Sequence, residues 1–186
     1  PQQSADELAE LVRKDGCQLR TGFVGTPFLL HVLSRYGHED LAYTLLLRRE
    51  YPSWLYPVTK GATTIWEHWD GIMEDGGFWS ADMNSFNHYA YGSVADWIYE
   101  EAAGIRPLEP GFARVQVAPK PDRRLGWLEA SIETRNGVVR SRWEYRDGGV
   151  RYEIETEMPV IVVIDGRDRS MPAGNYIFWG SEKENK

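Results

Sequence analysis

Cysteine is nearly absent: Cys17 is the only one in 186 residues. No internal disulfide can form, so packing alone must hold the fold, and a lone thiol fits a reducing compartment such as the cytoplasm. Zinc sites built from closely spaced Cys and His are excluded as well. No apolar run approaches the roughly 18 residues that a membrane-spanning helix needs. No secretory leader pattern is visible at the N-terminus. Basic residues are in deficit, 21 Lys and Arg against 28 Asp and Glu, for a net charge of −7. Nucleic acid and membrane are therefore not expected as partners, because both call for clustered positive charge. Neither common Gly-rich phosphate loop occurs, and there is no internal repeat or low-complexity segment.

What is present is a globular balance, 42% hydrophobic and 26% charged residues. Aromatics are abundant at 13%, with eight Trp and ten Tyr. Flat rings with polar tips suit cores, and they also suit the faces of sugars. The chain opens on Pro1 directly at a helical pattern. We read that as a piece of a longer chain, whose missing part would also carry any leader.

The first half has helical spacing. Ser4 and Glu7 fit a capping box, followed by Leu8, Leu11 and Val12 on one face. Pro27 suits the first turn of a second helix capped by Thr26, with Phe28, Leu29, Val32, Leu33 and Tyr36 inward and Gly37 as the stop. A third helix is expected over about His38 to Arg49 and a fourth from about His88 to Ala103, stopped by Gly104. After Pro107, Pro110 and Gly111 the period becomes two. Leu128, Ala130 and Ile132 alternate with polar residues, as do Val139, Ser141, Trp143 and Tyr145, then Tyr152 and Ile154. Asn136-Gly137 and Asp147-Gly148-Gly149 read as turns between them, and Asp165-Gly166 as another. Pro159 to Ile164 reads as a fully buried strand, and glutamates are expected to face arginines across strands. Helices followed by strands suggest two domains, 1–106 helical and 107–186 a β-sandwich.

Between the third and fourth helices lies a stretch rich in rings, acids and glycine, including "GATTIWEHWDG" at 61–71. Glu67 and Asp70 flank His68 and stand among Trp66 and Trp69. Sugars call for such a mix: rings stack on C–H faces, and carboxylates and amides bind hydroxyls. A glycosidic bond needs two carboxyl groups, one to protonate the leaving oxygen and one to activate water or attack. Indole neighbours partly desolvate a carboxylate and strengthen it as a base. The plain alternative stays open at this point. Glu67 would then be a first-turn helix acid, and Trp66 and Trp69, three apart, core anchors. His88 in that reading is a satisfied buried histidine. His31, His38 and Cys17 read as packing residues.

Three stretches carry a resemblance: "TGFVGTPFLLHVL", "YPSWLYPVTKGATTIWEHWDG" and "MNSFNHYAYGSVADWIYEEAAGI". In this order they resemble the C-terminal part of the catalytic domain of glycoside hydrolase family 78, the α-L-rhamnosidases, over roughly Leu19 to Ile105. The strand-rich half resembles, more weakly, the sandwich that follows the barrel in that family. The resemblance implies a multidomain α-then-β chain: the last helices of a partial (α/α)6 barrel, followed by an antiparallel β-sandwich. It implies an inverting mechanism on a rhamnose-containing glycoside, with no metal or cofactor. It makes Glu67 the general base and His88 a sugar ligand, with Trp66, Trp69, Asp70 and Asn87 as pocket wall or support. The family's general acid lies upstream of these motifs, and no part of this chain matches that region. The upstream part of the barrel is thus a missing partner of the site, and the chain alone is expected to be inactive. Asp75 or Asp82 can be imagined as a substitute acid, without support from the sequence. A non-catalytic carbohydrate-binding or structural module is the alternative.

Overall fold

The structure is a computed structural model and describes residues 1–146 and 148–181. Contacts divide the chain into two compact units, 1–95 and 96–186.

The first unit is helical and loop-rich. Helix α1 (Gln2–Lys14) starts two residues ahead of the expected cap: Ala5 N–H donates to the Pro1 carbonyl at 3.1 Å. Ser4 is inside the helix, and no side chain caps its N-terminus. Gln2 and Gln3 instead brace Asp6 and Glu7 one turn on. Ala5, Ala9 and Val12 form its buried side, while Leu11 is exposed. In α2 (Thr26–Arg35) the buried side is Thr26, Leu29, Leu30, Leu33 and Ser34. Phe28, expected inward, is 66% exposed. Helix α3 (Glu39–Leu47) packs on α2 and buries Leu41, Ala42, Tyr43 and Leu45. His38, just before it, pairs with Asp6 of α1 at 2.8 Å, a structural role. A short helix α4 (Leu55–Thr59) was not expected, because its five residues contain Pro57 and show no period.

The expected fourth helix is three geometries in succession: a 3-10 turn (Ala90–Ser93), one α-helical turn α5 (Val94–Trp97) and a π turn (Ile98–Ala102). The final carbonyls of such a run have no partner within it. Here Trp143 Nε1–H donates to Ala102 O at 2.8 Å and Ser141 Oγ–H to Ala103 O at 2.7 Å. Glu101, buried in the last turn, pairs with Arg106 and, at 3.0 Å, with Lys120.

The second unit is a sandwich of two four-stranded sheets. One runs in the order β1 (Ile105–Pro107), β2 (Val115–Val117), β6 (Val160–Ile164), β7 (Arg167–Met171). The other runs β3 (Trp127–Thr134), β4 (Gly137–Arg146), β5 (Gly149–Thr156), β8 (Gly174–Ser181) and is antiparallel throughout. In the first sheet β2 and β6 are parallel, the one feature that alternation cannot foretell. Val139, Trp143, Val150, Tyr152 and Ile154 meet Ile105, Val115, Val117, Val160, Val162 and Ile164 in a single core. Strand β6 is not buried on both faces as expected: Val160, Val162 and Ile164 are buried, Ile161 and Val163 half-buried. It belongs to the outer layer of a two-layer fold, so only one face is covered. The β3–β4 turn sits one residue earlier than expected, over Arg135 and Asn136, because Gly137 already pairs with Thr134. In the Asp147-Gly148-Gly149 turn, Asp147 lies outside the described residues.

Two stop glycines differ in what they tolerate. Gly104 has φ +77, and a Cβ there would overlap the Ala118–Pro119 backbone. Gly37 has φ +86 and open space around it. Gly37→Ala is expected to cost only the left-handed backbone penalty, about 1–2 kcal/mol. Gly104→Ala adds a collision that no side-chain rotation relieves, for a total above about 2 kcal/mol. Urea unfolding of both variants checks the order; equal losses would refute the close-approach role of Gly104.

Candidate active site

The stretch 61–71 is not a helix start. Residues 60–87 are turns, bends and extended segments, so the helix-acid reading of Glu67 falls. What shapes this region is backbone pairing between 64–67 and 85–88. His88 N–H donates to Ile65 O at 2.8 Å and Glu67 N–H to Ser85 O at 3.0 Å. Regular antiparallel pairing would carry Glu67 to Phe86. The second segment therefore has one extra residue, a bulge, and the freed Phe86 carbonyl accepts from Thr64 Oγ1 instead. Glu67 and His88 thus sit on two paired segments, both half-buried.

A hairpin leads out of the first segment. Ile72 bridges Phe78, with Met73 N–H on Gly77 O at 2.8 Å and Trp79 N–H on Gly71 O at 3.2 Å. Asp75 Oδ1 accepts from Gly77 N–H at 2.9 Å and closes its turn. The hairpin lays Trp79 on His68, ring centres 3.6 Å apart. Gly71 has no room for a side chain: a Cβ would stand 3.0 Å from the Phe86 ring and 3.1 Å from that of Trp66.

The two tryptophans of the stretch are buried. Trp66 meets Phe86 edge-on at 5.1 Å. Trp69 stacks on Tyr91 at 3.7 Å, with Trp54 edge-on at 5.5 Å and donating Nε1–H to the Tyr91 carbonyl. These rings anchor the loop from beneath. Asp70 is half-buried near Tyr51 and Tyr56, and Asn87 is exposed beside His88. The His88 ring lies between Phe23 at 4.8 Å and Tyr89 at 5.4 Å, nearly parallel to both. Its Nδ1 accepts from Ala90 N–H at 3.3 Å, so the neutral ring carries its proton on Nε2. Trp79, Tyr89 and Tyr91 belong to the ring-rich stretch but had no individual role assigned from the sequence, and Phe23 was not singled out at all. Phe23 stands in the first of the three quoted stretches, and no period or spacing ties it to a histidine 65 residues away. Within neither unit by itself do three His, Cys, Asp or Glu side chains among the described residues converge on a common point. No helix among them is long and apolar enough to cross a membrane.

Burial pushes the phenols of Tyr51, Tyr56 and Tyr91 up. Negative charge adds to this, from Asp70 for Tyr51 and from Glu74, Asp70 and Asp75 for Tyr56. A raised pKa favours the protonated folded state. That stability is fully present below the unfolded tyrosine pKa of about 10 and is lost as pH rises through the folded values. The urea midpoint is therefore expected to fall above about pH 10, and less steeply in Tyr51→Phe. A midpoint flat to pH 11.5, or an unchanged slope in the variant, would contradict this.

Two family models match the chain. The bacterial alpha-L-rhamnosidase 6 hairpin glycosidase domain matches residues 1–102, and the bacterial alpha-L-rhamnosidase C-terminal domain residues 104–169. An alpha-L-rhamnosidase of Streptomyces avermitilis is 49% identical over 146 residues, 78% of this chain and 14% of that protein. One from Formosa agariphila is 43% identical over 148 residues, 80% of this chain and 16% of that protein. Among solved structures, Streptomyces avermitilis alpha-L-rhamnosidase complexed with L-rhamnose matches with TM-score 0.90 at 38% identity, over 96% of this chain and 19% of that one. Native Aspergillus terreus α-L-rhamnosidase matches with TM-score 0.88 at 32% identity, over 96% and 21%. The chain thus spans about a seventh of the length of these curated relatives.

Proposed function

The chain belongs to the bacterial alpha-L-rhamnosidase family, and we propose that it carries the water-activating half of a site that hydrolyses terminal α-L-rhamnosyl linkages with inversion. The observation behind this reading is the bulged pairing of 64–67 with 85–88, which ties Glu67 and His88 into one rigid frame. Glu67 is the general base: it orients a water and takes its proton as the oxygen attacks the anomeric carbon. His88, with its proton on Nε2, donates to a rhamnose hydroxyl, and exposed Asn87 adds an amide beside it. Asp70 belongs to the pocket wall, and buried Trp66 and Trp69 hold the loop in place. The relative solved with L-rhamnose supports rhamnose as the sugar.

One carboxylate does not complete the reaction. Inversion needs a second carboxyl about 6.5–9.5 Å away, across the sugar, to protonate the leaving oxygen. We assign that acid to residues outside this chain, in the upstream part of the barrel. Asp75 is a poor substitute because its carboxylate closes the hairpin turn. Asp82 lies exposed in a turn that Ser80 holds through two backbone N–H groups. Leu11, Val24 and Phe28, all exposed, give the upstream helices an apolar edge to cover. No metal or cofactor takes part in the reaction so written.

In a longer protein that carries this chain, Glu67→Gln is expected to lower kcat by about 10²–10⁴-fold, the usual worth of a positioned base. Rhamnose binding, read by calorimetry, should persist. Near-normal turnover in that variant would remove Glu67 from the role. Proton NMR of the first sugar released should show the β anomer; the α anomer first would exclude inversion.

A further inference from the structure

The inner face of the β3-β4-β5-β8 sheet is sealed in the core, and its outer face carries two exposed indoles on either side of a set of cross-strand charge pairs. Across the four strands the register sets Trp127, Glu144, Arg151 and Trp179 in one row. Both indoles are 59% exposed, one at each margin of the sheet, about 14 Å apart by strand spacing. Ile177, also exposed, stands in the next row.

Between the rings lies a grid of paired charges. Arg142 meets Glu129 at 3.0 Å, Glu144 at 3.1 Å and Glu153 at 3.5 Å. Arg140 meets Glu155 at 3.2 Å, Arg146 meets Glu144 at 2.8 Å, and Arg151 pairs with Glu153. Four arginines stand against these four glutamates and exposed Glu133, so the face is within one charge of balance and has no strong field to attract a polyanion or a polycation. Arg142 also stands 5.6 Å from the Trp127 ring centre and steadies the indole. Beside the Trp row, and lined by neither indole, is a cleft of about 390 Å³ bordered by Arg140, Glu153, Glu155, Asn175 and Ile177.

We propose that this face binds a neutral oligosaccharide, with Trp127 and Trp179 stacking on separate sugar rings and the Arg–Glu grid hydrogen-bonding the hydroxyls between them. The ring separation exceeds one sugar, so the ligand is an oligomer. Apolar protein surface fits poorly, because it would strip water from the whole grid and return nothing for it. Sugar hydroxyls replace that water one for one. The site is distinct from Glu67 and His88 and does not depend on their role.

The test is calorimetric titration of the 186-residue chain with hexasaccharides of rhamnose, glucose, xylose and mannose, with oligogalacturonate as the charged comparison. At least one neutral hexamer is expected to bind more tightly than oligogalacturonate. Trp127→Ala and Trp179→Ala should each weaken it about tenfold, the scale of one lost ring contact. The Phe variants should retain most of the affinity. In proton–nitrogen NMR the Trp127 and Trp179 indole N–H signals should move while the buried indoles stay, a readout that does not depend on the Ala variants folding. Absence of binding by every neutral hexamer would overturn the proposal. So would binding that survives the double Ala variant with unmoved indole signals, or oligogalacturonate binding as tightly. Self-association abolished by the same double variant would also overturn it, with a second copy as the occupant.

Discussion

Two backbone hydrogen bonds and one side-chain bond, all between 64–67 and 85–88, set the form of the candidate active site. They join segments about twenty residues apart that have no regular secondary structure of their own. A catalytic carboxylate on an unpaired loop would sample many positions, and a misplacement of about 1 Å can cost about 10²-fold in rate. The pairing removes that freedom at both ends at once, since one bond is to Glu67's own N–H and another to His88's. The bulge matters as much as the bonds. The extra residue releases the Phe86 carbonyl to Thr64. The same segment sends the Phe86 ring onto Trp66.

Beneath the pairing the aromatics act as a floor. Trp54, Trp69 and Tyr91 form one buried cluster, and Trp66 with Phe86 another contact, so the loop has a dry side and a wet side. This resolves the tension in a stretch that mixes rings and acids. The indoles stabilise the backbone by burial, and Glu67, Asp70 and Asn87 are left toward the wet side. Gly71 is the condition for it, because any side chain there would enter the space between Phe86 and Trp66.

Much of the architecture was legible in the sequence. Period two over 128–154 marked β3, β4 and β5, and the Glu–Arg alternation carried their cross-strand pairing, Glu129 with Arg142 and Glu155 with Arg140. The short or polar strands β1, β2 and β7 were not legible, since three residues show no period and Arg167–Met171 is almost wholly polar; β8, though eight residues long with alternating burial, was not read either, because its rings fall on both faces and leave no apolar-polar alternation. Helical period placed Leu29 and Leu33 correctly but turned Phe28 inward, because hydrophobicity marks what can be buried and not what is covered. At the site, motif order singled out Glu67 and His88. The ring pair around His88 was invisible, because Phe23 meets it through the fold alone.

Eight tryptophans in one chain look like a single signal in composition, yet geometry separates them into different tasks. Trp54, Trp66 and Trp69 are buried under a loop that lacks its own ladder, where ring burial substitutes for regular hydrogen bonding. Trp143 is buried as well, and its N–H satisfies a helix-end carbonyl. Trp127 and Trp179 differ in kind. They lie on the polar side of strands whose inner positions already supply a full core, so removing them would leave the sandwich sealed. A large flat ring held in water at each margin of the sheet is free to stack on a flat ligand. The contrast between these groups, and not the total number of rings, is what points from aromatic content to recognition.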